Sequence, residues 1–118
     1  MRAVPVALLT VTLAGSLAAC GGSPAKQTVA VTATDTACQV ADTQLSGPGT
    51  YAFKVTNKGH QTTEVYVYTH DGKKVEEVEH IGPGTSRTLK AKLAAGDYQV
   101  ACKPGEKGDG IRTDIHVR

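Results

Sequence analysis

From Thr28 onward, the apolar positions follow the alternation of β-strands and not the period of an α-helix. β-Branched and aromatic residues recur in short runs that Gly, Pro and Asp separate. The pattern predicts strands at Thr28–Asp35, Gln39–Gln44, Gly49–Asn57, Thr63–His70, Lys73–His80, Ser86–Leu93, Asp97–Lys103 and Ile111–Val117. Short strands at this spacing are typical of a two-sheet sandwich, so we expect an all-β fold of about seven or eight strands.

Turn sequences separate several of these strands. Asp71-Gly72 is typical of a two-residue type I′ hairpin, which predicts that the strands on either side are adjacent and antiparallel.

The few aromatic side chains are expected to pack in the core with Val, Leu and Ile; they are Tyr51, Phe53, Tyr66, Tyr68 and Tyr98.

The residues ahead of the strands predict an exported protein. Met1 and Arg2 precede an apolar run, Ala3–Leu17, that Pro5 and Gly15 interrupt. The run is shorter than the roughly 20 residues that a membrane span needs, and it is typical of the apolar region of a secretory signal.

The end of this run predicts a lipid anchor. Leu17-Ala18-Ala19-Cys20 resembles the bacterial lipobox, in which cleavage precedes the Cys and its sulfur takes a diacylglyceryl group. We therefore expect a signal peptide at 1–19, a lipidated Cys20 and tether at 20–27, and one folded domain at 28–118. The domain would face the periplasm or the cell exterior on a membrane anchor. The alternative is an ordinary signal peptide with an unrelated Cys.

Composition excludes several functions. The 118 residues fit one small domain, and 13 Lys+Arg against 11 Asp+Glu, with no long run of either sign, predict no nucleic-acid partner. We find no Ser-His-Asp spacing, nucleophile elbow or phosphate loop, so we expect no enzyme.

Two cysteines remain once Cys20 is assigned to lipid. In an exported domain, Cys38 and Cys102 would most often form a disulfide. A second interpretation, in which both are metal ligands, comes from the surrounding sequence.

The segment Tyr98–Gly105, followed by a final strand, resembles the C-terminal signature of cupredoxins, small β-sandwiches in which a Cys at a strand end ligates copper. A blue-copper site needs two His, one Cys and usually a weak axial Met. The six residues after Cys102 include neither His nor Met. We therefore expect no electron-transfer copper site of that type.

The wider pattern looks like the EfeO-type cupredoxin-like domain, the N-terminal module of the extracytoplasmic component of ferrous-iron uptake systems. The segments that carry the resemblance are Val31–Cys38, Phe53–Asn57, Thr63–Val65, Glu76–Gly84, Leu93–Tyr98 and the residues around Cys102. The resemblance implies a Greek-key sandwich and a bound transition metal, copper or iron, handled together with other components of a metal-uptake system. The family usually adds an imelysin-type peptidase-like domain with a His-x-x-Glu motif. This sequence has no such motif, so we expect a stand-alone relative.

The resemblance also suggests a metal-ligand set. It places Glu64 about where a conventional cupredoxin has its first His, so that Glu64, Cys38 and Cys102 would supply one oxygen and two sulfurs. Asp35, three residues before Cys38, would add an oxygen or a hydrogen bond to a ligand. The alternative is that Asp35 is a turn residue at the end of a strand. Thiolates favour Cu(I) or Zn(II) and carboxylates favour Fe(III), so the set does not select one metal.

Other polar residues predict weaker sites. His60 would share a side with Glu64 if the chain between them were extended, and Glu77 and Glu79 share one strand face. For these and for Asp109 we favour a solvated surface or turn role. Two functions therefore follow from the sequence: a lipid-anchored transition-metal binder, or a disulfide-stabilised interaction module of the cell envelope without a metal.

Overall fold

The computed structural model describes residues 24–118, which fold into two β-sheets packed face to face. The strands are β1 (Gln27–Ala33), β2 (Cys38–Val40), β3 (Gln44–Leu45), β4 (Gly49–Asn57), β5 (Thr63–Thr69), β6 (Lys74–Ile81), β7 (Ser86–Leu93), β8 (Gly96–Pro104) and β9 (Ile111–Val117). The prediction of an all-β sandwich is confirmed. Within this range, no helix is long and apolar enough to cross a membrane. The predicted signal peptide and the lipidated Cys20 lie outside the described residues.

Strand order distinguishes the two sheets. The four-stranded sheet has the order β2-β1-β4-β7, and the five-stranded sheet has the order β3-β9-β8-β5-β6. The pairs β1/β4 and β3/β9 are parallel, and the other neighbours are antiparallel. Strand β8 is therefore central in the larger sheet, and β2 is an edge strand of the smaller one.

The prediction of a single strand at Gln39–Gln44 is wrong. This segment forms two short strands in different sheets, because the chain crosses between the layers at Ala41–Thr43. The Asp42 carboxylate holds the crossing, since it accepts hydrogen bonds from the Gln44 backbone NH at 3.0 Å and from Gln27 Nε2 at 2.9 Å.

The core lies between the sheets and consists of the alternate residues of each strand. Val29, Val31, Phe53 and Val55 contribute from the smaller sheet, and Val65, Val67, Val100 and Ile115 from the larger one. Burying one such side chain contributes about 1.5–3 kcal/mol. The polar alternate positions of the strands face outward, which explains why strand bounds could be predicted from the sequence pattern.

The aromatic residues divide between the core and the surface. Tyr51 and Phe53 are fully buried, as predicted. The prediction that Tyr66 and Tyr68 are core residues is wrong, because Val65 and Val67 occupy the core face of β5 and adjacent residues point the other way.

The hairpin between β5 and β6 has a different turn from the predicted one. The two strands are antiparallel neighbours, as expected. Gly72 has a positive φ of 87°, whereas Asp71 does not, and the Thr69 NH donates to the Lys73 carbonyl at 2.8 Å. A three-residue loop therefore replaces the type I′ turn, with glycine at the position that needs positive φ.

Candidate functional site

Cys38 and Cys102 form a disulfide in the core. Cys38 begins β2 and is 5% exposed, whereas Cys102 lies in β8 and is fully buried. Their Cα atoms are 5.5 Å apart, within the usual range for a disulfide. The cysteine that resembles a copper ligand is therefore bonded to the other cysteine of the domain.

Backbone pairing positions both sulfurs. Cys38 is paired with Ala33 across a tight turn, and Cys102 is paired with Val65 on one side and Ile111 on the other. The Thr113 hydroxyl donates a hydrogen bond to the Cys38 carbonyl and so holds β2 against the larger sheet.

Glu64 lies on the opposite face of the five-stranded sheet from the disulfide. Val65 is the residue paired with Cys102, and Glu64 is paired with Lys103. Because successive side chains of a strand point to opposite faces, Glu64 and the two sulfurs do not converge in this disulfide-bonded structure. Glu64 is 9% exposed, on the outer face.

Asp35 holds the loop between β4 and β5. Its carboxylate accepts hydrogen bonds from the His60 backbone NH at 2.9 Å and the Gln61 NH at 3.3 Å, and it lies 3.0 Å from His60 Nδ1. These bonds, chiefly that of the His60 side chain, lower the pKa of Asp35. His60 is consequently paired with Asp35 and is not brought to Glu64.

The predicted metal set is not assembled in this disulfide-bonded form. Cys38 and Cys102 have no thiolate to offer, Glu64 is on the wrong face, and Asp35 is engaged by the loop. Across residues 24–118, no group of three or more His, Cys, Asp or Glu side chains is placed to hold a metal ion. The set of two sulfurs and one oxygen stays a prediction for the reduced chain.

The other acidic residues have surface partners. Glu77 Oε1 lies 2.7 Å from Lys74 Nζ, and Glu79 Oε2 lies 3.6 Å from His80 Nε2. At Asp109 it is the backbone carbonyl, and not the carboxylate, that accepts a hydrogen bond from Arg112 Nε at 3.1 Å.

An aromatic and cationic cluster, which sequence reasoning missed, lies on the outer face of the five-stranded sheet. We call Tyr66, Tyr68, Lys103 and Arg112 the tyrosine patch. The two rings stack with centroids 5.5 Å apart and planes 4° from parallel. Lys103 Nζ lies 4.0 Å from the Tyr66 ring centroid and donates to the Tyr68 hydroxyl at 2.8 Å. The Arg112 guanidinium lies 4.6 Å from the Tyr68 ring centroid.

Carboxylates border the tyrosine patch on one side. A hydrogen bond with Glu77, then burial, then the charge of Glu64 raise the pKa of Tyr66. The signal in the sequence was the alternation of Glu64, Tyr66 and Tyr68 with Val65 and Val67, which assigns the tyrosines to the face opposite the core.

A pocket of about 420 Å³ lies at the opposite end of β8 from Cys102. His70, Asp97, Asp114 and His116 are among its lining residues. His116 Nδ1 lies 2.7 Å from Asp97 Oδ1, so these two lining groups hydrogen-bond to each other.

Comparisons with known proteins agree with this architecture. The family model for a cupredoxin-like domain matches residues 5–111. Dithionite-reduced auracyanin from the photosynthetic bacterium Roseiflexus castenholzii superposes with a TM-score of 0.60 at 14% identity, over 80% of this chain and 99% of that chain. Auracyanin B gives a TM-score of 0.65 at 16% identity, over 83% of this chain and 93% of that chain.

No curated protein matches the sequence. At 14–16% identity the auracyanins show a shared fold. Since the family model covers most of the sequence, the chain belongs to the cupredoxin-like domain family.

Proposed function

We propose that this protein is an exported, membrane-anchored cupredoxin-like domain that acts as an interaction module and is stabilised by its disulfide. One observation carries the proposal: Cys102, at the position that resembles a cupredoxin copper ligand, is bonded to Cys38. Copper in a cupredoxin is bound by a cysteine thiolate, and a sulfur in a disulfide does not provide one.

The remaining donors do not fit a blue-copper centre. Such a centre combines two imidazoles, one thiolate and usually a weak axial Met. The loop from Lys103 to Gly110 contains no His or Met, and His116 is paired with Asp97 at the other end of the sheet. We therefore derive no electron-transfer step through copper for this chain.

The tyrosine patch supports an interaction role. Tyrosine and arginine are enriched among the residues that dominate protein interfaces. Stacking and the hydrogen bond from Lys103 already order the two rings, so little side-chain entropy would be lost when a partner binds. The partner we propose is an envelope protein of a metal-uptake system, as the EfeO-type resemblance implies.

A second candidate function is Cu(I) binding by the reduced cysteines. The pair is buried and its Cα atoms are 5.5 Å apart, so reduction would leave two soft sulfur ligands side by side. This candidate requires a reductant in the compartment, whereas the interaction module requires the disulfide.

Intact mass spectrometry separates the two candidates. The full chain is produced in an exporting bacterium, purified without reductant, and then offered Cu(II) and Fe(III). A second sample is reduced and offered Cu(I). We expect the unreduced protein to be two hydrogens lighter than the dithiol, without a metal adduct, and the same spectrum reports any diacylglyceryl group on Cys20. Free thiols with a stoichiometric metal adduct in the unreduced sample would overturn the proposal. A Cu(I) adduct that forms only after reduction and is lost in Cys38→Ser would establish the second candidate.

The interaction role has its own test. A photo-crosslinking amino acid replaces Tyr68 in cells, and a matched probe replaces Thr88 on the outer face of the other sheet. We expect a discrete crosslinked species at position 68 that weakens in Arg112→Gln and is absent at position 88. Equal crosslinking at both positions would contradict a docking role for the tyrosine patch.

A further inference from the structure

Carboxylates are unevenly distributed between the two sheets, whereas cations occur in both, with Lys74, Lys103 and Arg112 in the five-stranded sheet. The strands of the four-stranded sheet carry Lys54, Arg87, Lys90 and Lys92, and none of those four strands contains a carboxylate. All the carboxylates that lie within described strands belong to the five-stranded sheet; they are Glu64, Glu76, Glu77, Glu79, Asp97 and Asp114. The net charge of +2 for the whole chain conceals this separation.

Three of the cations form one surface, which we call the lysine face: Lys54, Lys90 and Lys92. Leu89, Ala91 and Leu93 of β7 are buried in the core, so the intervening Lys90 and Lys92 point outward and are exposed. Lys54 is likewise exposed between two buried neighbours of β4.

The surroundings of the lysine face are flat and uncharged. Lys90 is paired with Ala52, Lys92 with Thr50, and Lys54 with Thr88. The other outward positions of β1, β4 and β7 hold small side chains, namely Thr28, Ala30, Thr32, Thr56 and Ser86. The three long ammonium side chains can therefore reach a flat anionic surface without competition from a carboxylate on these strands.

The lysine face lies beside the start of the folded domain. The Lys26 backbone NH donates to the Thr50 carbonyl at 2.7 Å, and Thr50 is paired with Lys92 on its other side. Five residues lie between Cys20 and Lys26, and the six steps from one to the other span at most about 20 Å. A lipid on Cys20 would consequently hold the lysine face within reach of the bilayer surface.

We infer that the outer face of the four-stranded sheet docks on anionic membrane lipids, with Lys54, Lys90 and Lys92 at the headgroup phosphates. Stable attachment commonly combines an acyl anchor with a basic patch, and each Lys near an anionic bilayer adds to the attraction. Docking in this way turns the five-stranded sheet and its tyrosine patch away from the membrane. The inference rests on the membrane anchor of the proposed function, and it depends on neither a metal nor the disulfide.

Lysine footprinting tests the inference. The full chain, processed by an exporting host, is mixed with vesicles of phosphatidylcholine alone or with about one third phosphatidylglycerol, and exposed amines are acetylated and quantified by mass spectrometry. We expect severalfold protection of Lys54, Lys90 and Lys92 on the anionic vesicles only, with unchanged labelling of Lys73 and Lys107. The protection should decline as salt rises, because screening weakens the attraction.

A matched pair of variants provides the control. Lys54→Gln/Lys90→Gln/Lys92→Gln should weaken partitioning to anionic vesicles by about a hundredfold. Lys58→Gln/Lys73→Gln/Lys107→Gln removes the same charge from other exposed positions and should change partitioning much less. Equal effects of the two triple variants, or equal labelling on both vesicle types, would overturn the inference. Equivalent protection by millimolar inorganic phosphate would indicate a small-anion site and would also overturn it.

Discussion

Cys102 in the central strand of one sheet is bonded to Cys38 in an edge strand of the other, so the disulfide joins the two layers of the sandwich. The residues are separated by 64 positions in sequence. A crosslink over a loop of this length restricts the unfolded chain strongly and stabilises the fold by about 4 kcal/mol on the chain-entropy model.

Removal of the disulfide should therefore destabilise the domain. We expect Cys38→Ala/Cys102→Ala to lower the free energy of unfolding by about 4 kcal/mol, measured by urea unfolding monitored by circular dichroism. Wild-type protein in reductant is the control and should lose a similar amount. A change below about 1 kcal/mol would mean that the disulfide has little structural role.

Asn57 should be the polar side chain on which the β4–β5 loop depends most. It is 1% exposed, its Nδ2 donates to the Gln61 and Ile81 carbonyls at 2.8 Å, and its Oδ1 accepts from the Gly59 NH at 2.8 Å. Asn57→Ala leaves these backbone groups without their partner and should cost about 2–3 kcal/mol in thermal or chemical unfolding. Ser86→Ala, which removes an exposed hydroxyl near the same strand end, is the control and should cost much less.

Tyr66 should ionise at higher pH than a free tyrosine because the hydrogen bond with Glu77 favours the neutral phenol. Glu77→Gln should bring the pKa of Tyr66 back toward its ordinary value near 10, as measured by ultraviolet titration of tyrosinate. A group whose pKa is raised in the folded state stabilises the fold below its unfolded pKa, so this contribution is lost as pH rises above about 10. Glu76→Gln is the matched control, and an identical titration in both variants would contradict the assignment.

The pKa of the Asp35 carboxyl should lie below its ordinary value, because His60 and Gln61 donate hydrogen bonds to its charged form. The lowered pKa means that the stabilisation is present above the unfolded pKa and is lost as pH falls through the folded one. Carbon-detected NMR titration measures this pKa directly. In His60→Gln we expect a shift upward, and an unchanged value would show that the imidazole does not interact with Asp35.

Strand positions could be predicted because half of each strand is buried. The bounds of β4, β7 and β9 follow directly from the alternation of apolar and polar residues. The division of Gln39–Gln44 could not be predicted, since β2 and β3 are too short to show a period and depend on pairing with distant strands.

The candidate site was harder to predict because it depends on register. Sequence order alone does not reveal that Val65, and not Glu64, is paired with Cys102. A shift of one residue between β5 and β8 would have changed which residue is paired with Cys102. The alternation of Glu64 with the core residues Val65 and Val67 was a local signal against a shared ligand set, and the family resemblance outweighed it.

The chain crossing at Ala41–Thr43, the disulfide and the Thr113–Cys38 hydrogen bond all lie on the side of the sandwich formed by β2 and β3. The opposite side is closed by β6 against β7, with Arg87 donating to the Glu79 carbonyl. The two sheets are therefore covalently joined near one side of the sandwich. Partial separation of the sheets would begin on the other side, at β6 and β7. Amide protons of these two strands would then exchange with solvent before those of β1 and β8.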